Sequence, residues 1–163
     1  MILAIDPGNV ESAYVIMDKK YRPLELGKWE NDRILGLISC SGVCCKEFVI
    51  EMVASYGMAV GATVFETCVW IGRFIETAER VGMKVTRVYR KDVKMNLCNS
   101  MKAKDSNIRQ ALIDRFAQHD FKNGKGTKNN HDWFYGVSKD VWSAIAVGVT
   151  YYDMVFESEG LKC

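Results

Sequence analysis

The sequence predicts an α/β domain built on a mixed five-stranded sheet, three antiparallel strands and then parallel ones, with helices on both faces. Two observations predict it. The first thirty residues hold three short strand-like runs joined by tight turns, which is typical of an antiparallel meander. From residue 46 onward, short apolar runs alternate with helix-length amphipathic segments, which is typical of parallel strands joined by helices. With 163 residues, we expect one domain over 1–163.

Five segments predict the strands. The first, Ile2 to Ile5, is wholly apolar and ends at Asp6-Pro7-Gly8, as expected for a central strand buried on both faces. The other four are Ala13 to Met17, Arg22 to Trp29, Lys46 to Glu51 and Lys84 to Val88.

Five further segments predict helices: Asn31 to Ser41, Thr63 to Val81, Lys91 to Leu97, Lys104 to Phe116 and Ser138 to Phe156. Their apolar residues recur near helical spacing, most clearly in the fourth helix, where Ile108, Leu112 and Phe116 share one face. Ser138 is a suitable N-cap for the last helix. The stretch from Phe121 to Phe134 is rich in Gly, Lys and Asn and predicts a mobile loop.

The composition excludes several classes of protein. Hydrophobic residues make up 48% and charged residues 26%, so the chain is neither disordered nor collagen-like. Six cysteines without CxxC spacing and only two histidines argue against a structural zinc centre. No apolar run reaches membrane-spanning length, and the N-terminus lacks the basic region of a signal peptide. We therefore expect a cytoplasmic protein with reduced thiols and no membrane partner.

Three acids are candidate metal ligands. Asp6 and Glu51 end predicted buried strands, where ligand crevices form in open sheets, and Asp140 lies in the first turn of the last predicted helix. Each of the first two also fits a polar residue opening a loop, and Asp140 also fits helix capping. Three carboxylates without a His or Cys cluster suit Mg²⁺ or Mn²⁺, which in pairs support phosphodiester hydrolysis.

The chain resembles the RuvC-type Holliday junction resolvases, within them most closely the small phage- or prophage-encoded branch. The resemblance rests on three segments: ILAIDPGNVESAY over 2–14, FVIE over 48–51 and DVWSAIAV over 140–147. These match the family's first hairpin, its second acidic strand and its C-terminal catalytic helix, and the elements between them follow in the family's order. The similarity therefore covers nearly the whole chain.

The resemblance implies a ribonuclease H-like nuclease domain. It implies a homodimer that nicks four-way DNA junctions with Mg²⁺, or with Mn²⁺ in its place, in the cytoplasm of a bacterial host cell if the gene is phage-encoded. It also implies catalysis and metal ligation by Asp6, Glu51 and Asp140. Many members carry a second aspartate three residues after the first on the last helix, where this chain has Ser143. Residues three apart share a helix face, so the Ser143 hydroxyl could still hold a water on the metal.

The segment from Lys84 to Lys128 is the candidate DNA-binding surface. It carries twelve basic and four acidic residues, a formal charge of +8 in a chain of net charge +2. Such asymmetry indicates a phosphate-binding surface, although a solvated helix face is the alternative. The proposed backbone contacts are Arg90, Lys91, Lys94, Lys102 and Lys104.

Two other surfaces are predicted from their apolar residues. Tyr56 or Met58, in the loop after Glu51, would wedge against unstacked bases, with ordinary loop packing as the alternative. The long helix is expected to expose Trp70 and Phe74 as a dimer face. A two-fold dimer would present two active sites to a two-fold symmetric junction.

Three other functions compete with this one. Another ribonuclease H-like nuclease, acting on RNA–DNA hybrids or flaps, would use the same acids. A sugar-kinase or actin-like ATPase half also opens with Asp-x-Gly, but it needs a second glycine-rich phosphate loop and a far longer chain. A non-catalytic junction-binding protein would explain Ser143 as the mark of a decayed metal site.

Overall fold

The computed structural model describes residues 1–55, 57, 59–138 and 140–160. The main sheet contains β1 (Ile2–Asp6), β2 (Glu11–Met17), β3 (Pro23–Glu30), β4 (Glu47–Met52) and β5 (Lys84–Tyr89). The helices are α1 (Asn31–Ser41), α2 (Ala62–Arg80), α3 (Arg90–Cys98), α4 (Asp105–Phe116) and α5 (Val141–Ser158). A small hairpin, β6 (Gly126–Thr127) and β7 (Asn130–His131), precedes α5.

The strand order of the main sheet is β3-β2-β1-β4-β5. The pairs β1–β2 and β2–β3 are antiparallel, whereas β1–β4 and β4–β5 are parallel. The mixed five-stranded sheet predicted from the sequence is thus confirmed. Because β1 and β4 run in the same direction, their carboxyl ends meet at one edge of the sheet, where the candidate acids lie.

Helices cover both faces of the sheet because alternate residues of the central strand point to opposite sides. Leu3 and Ile5 pack in one core with residues of α1 and α2, among them the fully buried Phe74. Ile2 and Ala4 pack in the other core, which is built largely from α5 with contributions from α3 and α4. Packing on both faces fixes the position of the central strand. The backbone from which the Asp6 side chain extends is therefore fixed as well.

Three details differ from the sequence predictions. Helix α5 begins at Val141, so Asp140 is its N-cap residue and Ser138 lies before the helix. The predicted mobile loop contains the β6–β7 hairpin and many backbone hydrogen bonds to carboxylates. Phe74 is buried, so it cannot form part of an exposed dimer face.

Candidate active site

Asp6 and Glu51 lie side by side at the carboxyl edge of the sheet. Parallel pairing aligns Ile5 of β1 with Ile50 of β4, and one acid follows each of these residues. Both carboxylates line a cavity of about 230 Å³. The other residues that line this cavity are Pro7, Met52, Val53, Ala54 and Arg90. The sequence prediction that these two acids converge agrees with this placement.

A buried polar network fixes the turn that follows Asp6. The Ser12 hydroxyl donates to Asn31 Oδ1 at 2.6 Å and accepts from the backbone N–H of Gly8 at 3.1 Å. The Asn31 amide donates to the Gly8 carbonyl at 2.9 Å. A side chain at Gly8 would collide with the carbonyl oxygen of Glu11, so the turn requires glycine there. Ser12 and Asn31 are almost fully buried, which makes the direction of the chain after Asp6 well determined.

The charges of the two acids are poorly compensated. Burial raises the pKa of Asp6 to about 6, against the opposing effects of the Arg90 charge and a hydrogen bond from Ser143. Burial and then the negative charge of Asp6 raise the pKa of Glu51 to about 7. Two adjacent, partly buried carboxylates with raised pKa values mark a place where a bound cation would stabilise their charged forms.

Arg90, at the start of α3, is the positive charge closest to this pair. Its guanidinium lies 3.4 Å from Glu51 Oε2 and also pairs with Asp105 at the start of α4. Only 26% of its side chain is exposed. The predicted contact of Arg90 with the DNA backbone stays a prediction; its guanidinium pairs with two carboxylates of the site, with which any phosphate would share it.

Asp140 lies next to this centre but is turned towards β3. Its carboxylate pairs with Lys28 Nζ at 2.9 Å, and the same ammonium pairs with Glu11 at 3.0 Å. The Asp140 charge still reaches Asp6, since it contributes to raising the pKa of that acid. In the described part of the chain, no three His, Cys, Asp or Glu side chains are grouped so that they could hold one metal ion. The three-carboxylate centre is thus two adjacent acids and a third held by a lysine.

Ser143 faces the site, one helical turn beyond Asp140. Its side chain hydrogen bonds to Asp6 and lowers the pKa of that acid, against the effect of burial. Ser143 and Asp140 also line a common cavity that is distinct from the one lined by Asp6 and Glu51. The shared helix face expected from their spacing is what brings both residues to the end of β1.

The donor set fits a divalent cation. Carboxylate oxygens are the ligands that Mg²⁺ and Mn²⁺ prefer, and Asp6 and Glu51 present them in a cavity open to solvent. Burial is the main cause of the raised pKa values of both acids, the charge of Asp6 adds to the rise at Glu51, and Arg90 opposes it only in part. A bound cation would remove the mutual repulsion of the two acids.

The predicted DNA-binding residues other than Arg90 lie beside this edge. Lys91 is exposed on α3, with its ammonium 5.6 Å from the Tyr89 ring centroid, and Lys94 is half-buried one turn later. Lys102 and Lys104 are exposed between α3 and α4. The predicted wedge residues Tyr56 and Met58 lie outside the described residues.

Sequence reasoning missed Lys28, Asn31 and Asp105. Lys28 occupies an unremarkable position in a weakly alternating strand, and only the pairing of β3 with β2 brings it to Glu11 and Asp140. Asn31 could have been noticed as a polar residue that becomes fully buried at the start of a helix. Asp105 counted only as an interruption of the basic segment, whereas it is the partner of Arg90.

Helix α2 has an exposed apolar face different from the one predicted. Phe65 and Val69 are 61% and 64% exposed and lie four residues apart, hence on one side of the helix. Trp70 is half-buried and carries the Arg73 guanidinium 4.0 Å from its ring centroid. Within the described ranges, no helix is both long and apolar enough to cross a membrane.

No protein-family model and no curated protein matches the chain. Solved structures do match. A Thermus thermophilus RuvC structure superposes with a TM-score of 0.64 at 15% identity, covering 98% of this chain and 96% of the other. T. thermophilus RuvC in complex with Holliday junction substrate gives a TM-score of 0.65 at 13% identity, with the same coverage. The chain therefore has the ribonuclease H-like fold of RuvC over nearly its whole length.

Proposed function

We propose that this protein is a structure-selective endodeoxyribonuclease that binds four-way (Holliday) and other branched DNA junctions as a homodimer. It would nick paired strands by two-metal phosphodiester hydrolysis with Mg²⁺, or with Mn²⁺ in its place. The proposal includes the phage-related origin that the sequence resemblance implies, and action in the cytoplasm, that of the bacterial host if the gene is phage-encoded.

The observation that carries the proposal is the pair of adjacent, partly buried acids on parallel strands of this fold. Asp6 and Glu51 share one cavity, and their pKa values are raised by burial and, for Glu51, by the charge of Asp6. The same architecture, in a solved structure, is RuvC bound to a Holliday junction substrate. Neither the kinase nor the ATPase alternative is supported by these neighbours.

The residues of the chain divide the work as follows. Asp6 and Glu51 would hold the divalent cation, with Asp140 as a third ligand once it leaves Lys28. The bound metal would polarise the phosphodiester and lower the pKa of the attacking water. Ser143 orients Asp6 through its hydrogen bond. The network of Ser12 and Asn31 keeps the turn after Asp6 in place, so that its carboxylate has one direction.

DNA would approach along the basic edge next to this centre. Lys91, Lys94, Lys102 and Lys104 would contact phosphates, and Arg90 would join them where its carboxylate partners allow. Such contacts release counterions, so the binding constant should fall steeply with salt. Tyr56 and Met58 remain the proposed wedge residues at the junction centre.

The dimer would form through α2. Phe65 and Val69 offer an exposed apolar strip, and a second copy of the same helix would cover it across a two-fold axis. Phe65→Glu should convert the dimer to a monomer in sedimentation experiments. Val43→Glu changes a residue that is 88% exposed after α1 and serves as the matched control.

The decisive experiment compares linear duplex, flap, replication-fork, four-way and RNA–DNA hybrid substrates with the wild-type protein and with Asp6→Asn, in the presence of Mg²⁺ or Mn²⁺. We expect paired nicks in the four-way junction by the wild type alone and binding by both. Preferred cutting of the hybrid or flap would favour the other ribonuclease H-like nuclease.

A non-catalytic junction-binding protein is the second candidate, and one observation favours it. Arg90 and Lys28 already occupy two of the three acids, as internal cations would in a site without metal. Binding of the four-way junction without cutting under either metal would establish this candidate.

A further inference from the structure

A second cavity, of about 710 Å³, shares Arg90 with the cavity of the two acids. It lies between α4, the segment that leads into the β6–β7 hairpin, and the start of α5. Its lining includes the basic residues Arg109, Lys122 and Lys125, the acids Asp105 and Asp140, and Trp142. Arg90 lines both cavities, and Asp140 and Ser143, which both interact with Asp6, line this one, so whatever fills it lies beside the acids.

The positive charges in this cavity are mostly unpaired. Its two acids are already engaged, Asp105 with Arg90 and Asp140 with Lys28. Arg109, Lys122 and Lys125, by contrast, have no carboxylate partner among the residues that the structure describes. The cavity therefore presents three free cations to a ligand.

Arg109 also has a defined position. Its guanidinium lies 5.0 Å from the ring centroid of Trp142, which is almost fully buried in α5. Stacking of this kind restricts the long side chain before any ligand arrives, which lowers the entropy cost of binding.

The segment that carries Lys122 and Lys125 is pinned by two acids. Asp120 accepts hydrogen bonds from the backbone N–H groups of Asn123, Lys125 and Gly126. Asp132 accepts four more, from the backbone N–H groups at 118, 119, 120 and 133. Both carboxylates thus accept hydrogen bonds from the backbone, and neither neutralises Lys122 or Lys125.

Packing underneath the segment strengthens this fixation. Gly124 has φ +71°, and a Cβ there would stand 2.7 Å from the Phe134 ring. The backbone between Lys122 and Lys125 consequently packs against buried Phe134. The backbone positions from which the two lysine side chains extend are therefore fixed.

We propose that this cavity binds one nucleotide of the substrate strand next to the cleaved bond, with its phosphate held by Arg109, Lys122 and Lys125. The volume lies in the range of small-ligand pockets and is large enough for a single nucleotide. The concentration of unpaired cations selects an anion, and the shared wall with Asp140 places that anion on the strand that reaches the acids. The inference rests on the proposed nuclease function and extends it to an unpaired nucleotide.

The test neutralises DNA phosphates one at a time. Four-way junctions with a single methylphosphonate at each position around the nick are titrated by fluorescence anisotropy, with EDTA present so that no strand is cut. The proteins are the wild type, the double variant Lys122→Ala/Lys125→Ala, and Lys128→Ala. Lys128 is exposed in the same hairpin segment but does not line the cavity, so it controls for the loss of loop charge.

We expect a methylphosphonate at one position to weaken junction binding by the wild type about fivefold. The same methylphosphonate should hardly weaken binding by the double variant. The logarithmic salt dependence of binding should also become shallower by about 0.7 for each single-strand phosphate that the double variant no longer neutralises. Lys128→Ala should retain the wild-type sensitivity to that methylphosphonate.

Each failure has its own meaning. A wild type that binds and cuts junctions, but whose sensitivity to every methylphosphonate persists in the double variant, overturns the nucleotide site and leaves the nuclease function intact. If Lys128→Ala lost the sensitivity to the methylphosphonate as fully as the double variant does, the nucleotide site would also be overturned. The sensitivity would then depend only on the total charge of the loop. A wild type that binds no branched DNA overturns both proposals.

Discussion

Asp132 is a buried carboxylate and Glu51 a largely buried one, yet their surroundings are opposite. The Asp132 side chain is 0% exposed and accepts four backbone hydrogen bonds of 2.6–2.9 Å. Burial alone would raise the pKa of Asp132, but these hydrogen bonds hold it far below its usual range. The Glu51 side chain is 13% exposed and meets Arg90 at 3.4 Å, and burial raises its pKa to about 7.

The difference separates an acid that holds the fold from an acid that serves a site. Asp132 has its full complement of donors, so its charge is stabilised by the chain itself. Glu51 is exposed to the like charge of Asp6 and to desolvation, and what would relieve both is a cation from outside. Mutation of the two acids should therefore affect different measurements.

The largest expected effect is on cleavage by Glu51→Gln. The amide keeps the size of the side chain but loses the charge that would hold a metal, so junction cutting should fall by about a thousandfold, equivalent to several kcal/mol. Thermal stability should stay the same or increase, because the repulsion from Asp6 disappears. Initial rates on a four-way junction and a melting curve check both parts; a cutting rate near that of the wild type would remove Glu51 from the reaction.

Asp132→Ala should have the next largest effect, and on stability instead of chemistry. It leaves four backbone N–H groups without their acceptor, at a cost of about 3 kcal/mol or more. For a chain of this length the melting temperature should drop by roughly 6–12 °C. Asp114→Ala is the matched control, since Asp114 is exposed on α4 and accepts from Gln110. A comparable drop in both variants would mean that the hairpin segment does not depend on its buried acid.

The pH dependence of stability should also separate the two kinds of acid. Folded Asp6 and Glu51 have pKa values of about 6 and 7 against ordinary values of 3.8 and 4.5, so the folded state binds protons more tightly than the unfolded one. Their effect is to make the metal-free protein less stable as pH rises from about 4 to 7. Asp132 acts in the opposite sense, because its lowered pKa contributes stability that is lost only as pH falls below 3.8.

Melting curves in EDTA at pH 5 and pH 7.5 measure this contrast. The fall in melting temperature between the two should be smaller in Asp6→Asn/Glu51→Gln than in the wild type. Mg²⁺ at pH 7.5 should restore the wild type and leave the double variant unchanged. Equal pH responses of the two proteins would show that the acid pair is already neutralised within the fold.

The sequence predicted the main sheet well because its strands are strongly apolar and their ends carry turn residues. Ile2 to Ile5 is buried on both faces as expected, and the acids that follow the parallel strands are adjacent. These features depend on residues close together in the chain, where periodicity and turn chemistry act directly.

The parts that could not be predicted depend on side chains from distant elements. Lys28 reaches Asp140 across more than a hundred residues, and Arg90, a predicted phosphate contact, is also a partner of Glu51 and Asp105. Phe74 was assigned to the wrong side of α2 because apolar residues recur all round that helix, and only tertiary packing selects Phe65 and Val69 as the exposed strip. In each case the composition of the segment was right, but its partner was not encoded nearby.

The smallest expected effect is that of Lys28→Met on metal binding. It extends the comparison of Asp132 and Glu51 to a third acid, Asp140. Asp140 is half exposed and is held by one lysine, so it stands between the satisfied Asp132 and the uncompensated Glu51. An ion pair of this exposure contributes about 1 kcal/mol or less, so Lys28 competes only weakly with a cation at the acid centre for Asp140. Removal of the lysine should therefore tighten Mn²⁺ binding, measured by calorimetry, by up to about fivefold.

Glu11→Gln, which removes the other partner of Lys28, should strengthen the ion pair between Lys28 and Asp140 and weaken Mn²⁺ binding slightly. Opposite shifts in the two variants would make Lys28 a competitor of the metal, whereas weaker Mn²⁺ binding in Lys28→Met would make it the residue that positions Asp140 for its ligand role.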